Sequence, residues 1–532
     1  DTEGQTPAAE EKVGDSPPKE EAENVEVEKK EGEAEAAEEG EDANGASSGE
    51  KEAVEGEGEG EESGKEKEKE VPTGPSKPGP PAPTPDELTD DFFYESGEFL
   101  ADLQAHQLRR DIVGLHATFG FEVHRRNNIY YMSEEVVATI AGNSVQFVNL
   151  KTLAREEILG LEHGGIGSIA VHPEKTYIAI GAKGDQPNVY IYEYPSLKLF
   201  RVLRNGTETE YSDMSFSPDG ENLATVGGYS DYMLTVWNWK KESIILRNKA
   251  FSQQIYRVEF SPHFPGTLLT AGTGHIRFWK MASTFTGLKL QGLIGKFGNV
   301  ELSDISGFAE LPDGKVLSGT ETGNLLLWDG NTIKIEFSGE GGQTCHKGAV
   351  EKIFIEGNEV ITAGMDGYVK VWDLRQIDSA ELEEDANTFT LSPQRSLLLG
   401  QQVQVKGMVR GSDHFLVQDE SGHLLRLSWP EGQVETLLSC HGGAVHDMKP
   451  CPTRHIIAST ASDGYVHLFD YVNRQLLFSR KFSAGGRTLL WGPPCIDPAY
   501  TLLIVGFDDG VVRLLRRCTD TFHLLSALKP HS

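Results

Sequence analysis

The sequence predicts an all-β protein that folds as a β-propeller of seven blades, with two further blades that begin a second propeller. Three observations predict this fold. Bulky apolar residues recur at regular intervals, short β-branched runs alternate with turn residues, and an acidic N-terminal stretch differs in composition from the rest. Closed propellers typically carry about four to eight blades, and closure leaves few free strand edges. One ring of eight or nine blades is the open alternative.

Each repeat is marked by one bulky apolar anchor residue. The nine anchors are Val148, Tyr192, Trp237, Trp279, Trp328, Trp372, Leu427, Phe469 and Leu515, and their spacings are 44, 45, 42, 49, 44, 55, 42 and 46 residues. A four-stranded blade takes about 40–45 residues. The 55-residue step contains an acidic insertion, residues 378–387, which predicts a surface loop. The first propeller is predicted over residues 116–435 and the start of the second over residues 436–532.

The first 85 residues form a low-complexity region. Residues 1–70 carry 27 acidic and eight basic side chains and supply −19 of the formal net charge of −33. Such a segment cannot bury enough apolar surface to offset the entropy of ordering, so a disordered acidic tail is predicted. Residues 71–85 are proline-rich and predict an extended spacer. The tail is either a passive solubilising segment or an arm that binds a basic partner.

Residues 86–115 change character and predict a short helical lead-in. Acidic residues precede Phe92, Phe93, Tyr94 and Phe99, and further apolar residues follow at three- and four-residue steps. This pattern is typical of amphipathic helices, which we expect to pack against the following domain. An exposed aromatic docking motif is the alternative.

Motifs for catalysis, cofactors and metals are missing from the sequence. It contains no phosphate-binding loop, no G-x-S-x-G elbow and no H-E-x-x-H helix. Cys345-His346 and Cys440-His441 occupy equivalent repeat positions and therefore different blades, with no C-x-x-C partner nearby. We therefore predict a protein that is not an enzyme, with no catalytic residue, no cofactor and no metal site.

The distribution of charged and apolar residues also limits the partners. Dense runs of Lys and Arg are missing, which argues against nucleic acid, and no apolar run approaches the roughly 20 residues that span a bilayer. The five cysteines and the polar start favour a reducing, intracellular compartment. Protein partners are therefore expected. Trp239 and Tyr194 follow their anchors by two residues and are expected as surface aromatics.

Two repeats carry a further pattern that resembles the WD40-repeat family. In each, a Cys-His pair is followed by a β-branched run and an Asp-Gly turn, which suits a tight hairpin. The resemblance implies a hydrogen-bonded tetrad of His346, Thr362, Asp366 and Trp372 inside one blade. In the second repeat it implies His441 and Asp463 with Ser459 or Thr460, but Phe469 stands in the place of Trp. The unit around Trp279 has Thr273-Gly274 in place of Asp-Gly. Less complete blades must rely more on packing.

A closer resemblance lies in the stretches between the blade signatures. Residues 164–173, 186–188, 191–197, 284–292 and 311–319 resemble the N-terminal propeller region of the cilia- and flagella-associated protein 44 family. The similarity spans roughly residues 90–515. In that family, WD40 propellers precede a long coiled coil. Coiled coil is absent here, so a truncated or short form is expected.

The resemblance implies a non-catalytic scaffold of the motile ciliary or flagellar axoneme, on the cytoplasmic side of the membrane. Its members are part of a tether that links an inner-arm dynein motor to the doublet microtubule. The implied partners are cilia- and flagella-associated protein 43, inner-arm dynein and the doublet microtubule. The alternative function is a cytosolic WD40 adaptor that binds peptide motifs in a signalling or ubiquitin-ligase complex.

Overall fold

A computed structural model of the protein describes residues 82–84, 87–99, 118–159, 164–382, 386–518 and 521–530. Apart from residues 82–84, the predicted tail and spacer lie outside the described residues. The predicted helical lead-in is described only over residues 87–99, where a 3-10 turn, Ser96–Glu98, forms.

Nine sheets contain all 37 described strands, because β-branched and aromatic runs alternate with turn residues along the chain. Their antiparallel strands follow one another in sequence order. Blade 1 contains β1 (Tyr130–Tyr131), β2 (Val136–Ala141), β3 (Ser144–Asn149) and β4 (Arg155–Leu159). Blade 2 contains β5 (Ile166–Val171), β6 (Tyr177–Ala182), β7 (Val189–Glu193) and β8 (Leu199–Leu203). Blade 3 contains β9 (Tyr211–Phe216), β10 (Leu223–Gly227), β11 (Met233–Asn238) and β12 (Ser243–Lys249).

The next three blades include one irregular sheet. Blade 4 contains β13 (Ile255–Phe260), β14 (Thr267–Gly272), β15 (His275–Thr284) and β16 (Gly287–Ile294). Blade 5 contains β17 (Phe308–Glu310), β18 (Val316–Gly319), β19 (Leu325–Asp329) and β20 (Thr332–Ser338), with β24 (Phe389–Thr390) added at its edge. Blade 6 contains β21 (Val350–Glu356), β22 (Glu359–Gly364), β23 (Tyr368–Asp373) and β25 (Arg395–Leu398).

The last three blades are regular. Blade 7 contains β26 (Val405–Arg410), β27 (His414–Asp419), β28 (His423–Ser428) and β29 (Val434–Ser439). Blade 8 contains β30 (Val445–Pro450), β31 (Ile456–Ala461), β32 (Tyr465–Asp470) and β33 (Gln475–Lys481). Blade 9 contains β34 (Gly486–Trp491), β35 (Leu502–Phe507), β36 (Val512–Cys518) and β37 (Thr521–Leu528).

The anchor residues occupy the third strand of their sheets, and the predicted all-β propeller fold is confirmed. Eight anchors are buried, while Phe469 is half-buried and contacts Phe119 in a tilted arrangement with ring centroids 4.1 Å apart. Each of the eight buried anchors packs between neighbouring sheets, where apolar burial contributes about 25 cal/mol per Å² of surface removed from water.

The first seven blades close into a ring. The innermost strands lie side by side, and β1 approaches β5 at one end of the series while β21 approaches β26 at the other. Blade 7 then meets blade 1 again: the backbone N–H of Asn127 donates to the Lys406 carbonyl at 3.2 Å. Leu416 and Leu424 of blade 7 pack in one cluster with Val137 and Val148 of blade 1. Closure leaves no free blade face within this ring.

Blades 8 and 9 pack on each other through a core of their own. Leu468 and Val466 of blade 8 lie in one cluster with Leu489, Leu503 and Val505 of blade 9. Blade 7 ends at Ser439, so the predicted limit of the first propeller at residue 435 falls inside β29.

The acidic insertion, residues 378–387, lies between two short elements. It follows a short helix, α1 (Leu374–Asp378), whose N-cap Asp373 accepts from the Arg375 N–H. It is followed by β24, which pairs in parallel with the outer strand β20 of blade 5. Residues 383–385 are not among the described residues. Strand β24, which follows the predicted loop, therefore covers the outer edge of blade 5.

The aromatic lead-in packs against blade 2. Tyr94 and Phe99 are buried, and the Tyr94 hydroxyl donates to Glu242 at 2.9 Å. The buried guanidinium of Arg201 donates to the backbone carbonyls of Thr89 at 2.8 Å and Phe92 at 3.0 Å. These contacts hold residues 89–99 against the ring.

Candidate interaction surface

The four residues predicted as a tetrad lie together inside blade 6. His346 bonds through Nδ1 to Oδ1 of Asp366 at 2.9 Å and through Nε2 to Oγ1 of Thr362 at 2.7 Å. The Trp372 indole N–H donates to the same Thr362 oxygen at 2.8 Å. This chain joins the loop before β21 to the second and third strands. It therefore fixes the loops that this blade presents to solvent.

The aspartate of this tetrad also organises the backbone. Asp366 accepts from the N–H groups of Lys347 at 3.0 Å and Tyr368 at 3.1 Å. Burial alone would raise the pKa of Asp366, but the hydrogen bonds from His346 and the backbone outweigh it and hold the pKa below its usual value. The carboxylate is therefore ionised and committed to the turn, which leaves it poorly placed to serve as a general base.

Blade 8 has a shorter version of the same chain. His441 bonds to Asp463 at 3.2 Å and to the Ser459 hydroxyl at 2.8 Å, so Ser459 fills the position for which Ser459 and Thr460 were the candidates. Phe469 has no N–H to donate. The ring of His467 stacks on His441 instead, with centroids 4.1 Å apart.

The other predicted tryptophan anchors make the same local bond without a histidine. Trp237 donates to Thr225 at 3.0 Å, Trp279 to Thr270 at 2.9 Å and Trp328 to Ser318 at 2.8 Å. In every case the acceptor is a hydroxyl on the second strand, directly beside the anchor strand. The anchor thus satisfies its indole N–H inside the core, where an unpaired donor would cost about 1–3 kcal/mol.

Two turns use residues that the repeat pattern did not predict. Asp231 of blade 3 accepts from the Thr207 hydroxyl at 3.0 Å, so Thr207 takes the place of the histidine. In blade 4 the Thr273-Gly274 turn is held by Asp304, which accepts from the Gly274 N–H at 3.0 Å and from the Tyr256 hydroxyl at 2.8 Å. Asp304 lies between the last strand of blade 4 and the first strand of blade 5, and no spacing rule predicts its role.

Trp239 is buried, so the expectation of a surface aromatic at this position was wrong. Its indole N–H donates to the Gly220 carbonyl at 2.8 Å, and its ring lies among His172, Tyr177 and Phe216. Tyr194 is half-buried and stacks on Phe147.

The two thiols beside the repeat histidines are protonated at neutral pH; Cys345 is buried and Cys440 is half-buried. Burial raises the pKa of Cys345 to about 12 and that of Cys440 to about 11. A thiolate is the form that attacks electrophiles and binds metals, so neither thiol is poised for that chemistry. Within the described ranges, no group of three or more His, Cys, Asp or Glu side chains is arranged to hold a metal ion. Over the same ranges, no helix is long and apolar enough to cross a membrane.

Two ionisable groups lie on inner strands of the ring. Burial raises the pKa of Asp213 on β9 to about 7, although the Val258 N–H donates to this carboxyl at 2.8 Å. Burial, with the nearby Arg257, lowers the pKa of Lys352 on β21 to about 7. The charge inside the ring therefore changes close to neutral pH.

A polar cleft of about 310 Å³ opens where blade 7 meets blade 8. Its walls include Glu420 on one side and Gly442, Asp463 and Lys481 on the other. His124 from the lead-in to blade 1 lies 3.3 Å from Glu420. The loops around this cleft are those that the blade 8 histidine chain fixes, so its shape is tied to the fold.

Comparison with known proteins places these features in a family. The model of the first β-propeller of echinoderm microtubule-associated proteins matches residues 161–406, and the model of the WD domain, G-beta repeat, matches residues 432–470. Echinoderm microtubule-associated protein-like 4 of Xenopus laevis is 27% identical over 415 residues, which cover 72% of this chain and 42% of that protein.

The chain is also similar to cilia- and flagella-associated protein 44 of Mus musculus and of Chlamydomonas reinhardtii. Identity is 39% over 450 residues in the first, covering 82% of this chain, and 40% over 442 residues in the second, covering 79%. The chain spans about a quarter of the length of these relatives, 24% and 25% respectively. The resemblance predicted from the stretches between the blade signatures is confirmed. With its repeated four-stranded sheets and third-strand anchors, the chain belongs to the WD40-repeat β-propeller family.

Proposed function

We propose that the chain is a non-catalytic structural scaffold of the motile ciliary or flagellar axoneme. The observation that carries the proposal is the 39% identity over 450 residues to cilia- and flagella-associated protein 44 of Mus musculus. This similarity covers 82% of this chain. A rigid ring with fixed loops suits a docking role, because propellers bind partners through their faces and rims while the fold alone specifies no chemistry.

The finer proposal is a place in a tether between an inner-arm dynein motor and the doublet microtubule. Cilia- and flagella-associated protein 43, the dynein and the microtubule are then the partners. Two observations favour protein contacts of this kind: blade loops held by buried hydrogen bonds, as around His346, and a polar cleft beside Glu420.

We further propose that blades 8 and 9 begin a second propeller and that the ring ends with blade 7. Closure between Asn127 and Lys406, and the separate core of blades 8 and 9, support this division. It keeps the predicted domain order but moves the boundary from residue 435 to the end of β29 at Ser439.

Fractionation of motile cilia tests the scaffold proposal. The chain, carrying a small C-terminal tag, is followed through detergent removal of the membrane and through stepwise salt extraction. We expect it to remain with the demembranated axoneme and to leave only at high salt, as a protein held by many polar contacts does. Recovery in the soluble cytosolic fraction alone would contradict the proposal.

The cleft between blades 7 and 8 favours a second candidate function, a cytosolic adaptor that binds short peptides. Its walls carry both carboxylates and a lysine, which could pair with a mixed-charge peptide. Affinity purification decides between the two functions. Ligase subunits or signalling enzymes as the dominant stoichiometric partners favour the adaptor, whereas axonemal proteins favour the scaffold.

A further inference from the structure

One hairpin of the ring is longer than its counterparts. Strand β15 spans ten residues, whereas the third strands of the other eight sheets span five to seven. Beyond the anchor Trp279, five more residue pairs continue the ladder as far as Thr284 and Gly287. In the other six blades of the ring the ladder ends within one pair of the anchor, on either side of it. At about 3.4 Å per residue, the hairpin projects roughly 15 Å further than its neighbours.

The projecting part of this hairpin is residues 280–291, and blade 3 braces it at its base. Leu290 is buried, and Met281 packs against the core between blades 3 and 4. The Asn248 side-chain amide of blade 3 donates to the Leu290 carbonyl at 3.2 Å. An isolated two-stranded hairpin is only marginally stable, so this bracing is what allows the tip to stand out as a defined structure.

The tip presents one aromatic ring to solvent. Phe285 is fully exposed, and Leu288 beside it is 45% exposed. The Thr284 hydroxyl donates to the Gly287 carbonyl at 2.7 Å and closes the turn beneath the ring. A single exposed apolar side chain is normal on protein surfaces. Its position at the end of a braced arm distinguishes Phe285 from the scattered exposed residues.

The charge of the surrounding segment is opposite to that of the chain. No Asp or Glu occurs between Glu259 and Glu301, a run of 41 residues, although the chain has a formal net charge of −33. The same run contains Arg277, Lys280, Lys289 and Lys296. Lys280 and Lys289 are exposed on the arm itself. This distribution favours an acidic partner surface, because opposite charges speed association and suppress wrong partners.

We propose that residues 280–291 form a docking arm for an acidic protein surface, with Phe285 entering an apolar pocket there and Lys280 and Lys289 pairing with carboxylates at the rim. Aromatic residues in such pockets dominate binding energy. A membrane suits the arm less well, because stable anchoring to a bilayer takes more than one ring and two cations. The choice of partner rests on the proposed axonemal function, in which the acidic surface is that of the microtubule lattice.

Binding of the full chain to microtubules polymerised from purified tubulin tests the arm. Phe285→Ser should raise the Kd for microtubules at least tenfold. The Lys280→Glu/Lys289→Glu variant should raise the Kd further and make the Kd less dependent on salt concentration. Tyr229→Ser is the matched control. Tyr229 is 78% exposed, but it lies between β10 and β11 and therefore on the opposite rim of the ring. This control should bind as the wild type does.

Equal binding by Phe285→Ser and Tyr229→Ser would overturn the proposal, and so would failure of the wild-type chain to bind microtubules. Phe285-dependent binding to vesicles of phosphatidylcholine with one-third phosphatidylserine, without binding to microtubules, would replace the protein partner with a lipid surface. The scaffold proposal is tested by a different result. It is refuted when the chain is recovered only in the soluble fraction. If only the arm proposal is wrong, the wild-type chain stays on the axoneme and Phe285→Ser stays there equally well.

Discussion

The backbone N–H of Asn128 donates to Oε1 of Gln418 at 2.9 Å, although the two residues are 290 positions apart. The side-chain amide of Gln418 also donates two hydrogen bonds through Nε2, to the carbonyls of Val123 at 2.6 Å and Arg125 at 2.7 Å. Gln418 is completely buried. One side chain of blade 7 thus holds the segment that leads into blade 1, and the ring closes on it.

Gln418→Leu should weaken ring closure. The substitution removes three hydrogen bonds and leaves buried backbone groups of Asn128, Val123 and Arg125 without a partner. We expect a loss of about 3 kcal/mol in the free energy of opening of blade 1. Hydrogen exchange of β2 and β3 measures it. Gln401→Leu, at an exposed position, should change the same quantity by less than about 0.5 kcal/mol, and an equal effect of both variants would refute the closure role.

Thr362→Val should loosen blade 6. The variant keeps the shape of the side chain but removes the oxygen that both His346 and Trp372 contact. We expect about 2 kcal/mol of destabilisation, because the buried Trp372 N–H loses its acceptor and the buried Nε2 of His346 loses its hydrogen-bond partner. Urea unfolding followed by tryptophan fluorescence checks this. Thr436→Val on the exposed strand β29 is the control, and a Thr362→Val protein as stable as that control would show that the tetrad contributes nothing.

Blade 8 should lose stability at mildly acidic pH. Burial, with the adjacent His441, lowers the pKa of His467 to about 3 from its ordinary value of 6.5. Between these values the unfolded state binds a proton that the folded state does not, so stability is complete above pH 6.5 and falls as the pH drops towards 3. The loss from pH 7.5 to 5.0 should reach about 2 kcal/mol.

Hydrogen exchange of residues 445–481 at the two pH values, corrected for intrinsic rates, measures this effect. His467→Phe keeps an aromatic ring against His441 and should flatten the pH dependence. Gln475→Ala, exposed on β33 of the same blade, should keep the wild-type slope. The titration account is wrong if His467→Phe and Gln475→Ala respond alike.

Arg201→Met should release the aromatic lead-in. The buried guanidinium holds the carbonyls of Thr89 and Phe92 on one side and that of Lys240 on the other. Loss of these charge-assisted bonds should cost roughly 2 kcal/mol locally, which opens the segment about 30 times more often. Limited chymotrypsin digestion reports the opening as faster cleavage after Phe92 or Phe93. The Arg375→Met variant, changed at an exposed position on α1, should be digested at the wild-type rate. Equal digestion rates in both variants would show that Arg201 does not hold the lead-in in place.

The repeated part of the fold was predictable because every blade needs a bulky anchor residue at the same place between its sheets. An anchor such as Trp328 must fill the space between sheets and pair its N–H, and its spacing therefore shows in the sequence. Features outside the repeat were not predictable. The pairing of β24 with β20 depends on where a long insertion returns, and the role of Asp304 depends on its approach to Gly274 in space.

Burial of Trp239 was missed for a similar reason. Its position two residues after Trp237 resembles an exposed site at the end of a strand, but the Gly220 turn folds back to accept its indole N–H. The histidine position of blade 3 was also hidden, because Thr207 fills it with a different residue type. Spacing predicts the framework, while the replacement of one hydrogen-bonding residue type by another shows only in the three-dimensional structure.

Crosslinking mass spectrometry on intact axonemes tests the central claim most directly. A lysine-reactive reagent joins exposed side chains such as Lys280, Lys289 and Lys481 to their neighbours in place. The scaffold account predicts crosslinks from the ring to tubulin, to an inner-arm dynein or to cilia- and flagella-associated protein 43. Crosslinks confined to soluble cytosolic proteins, with none to any axonemal component, would contradict it.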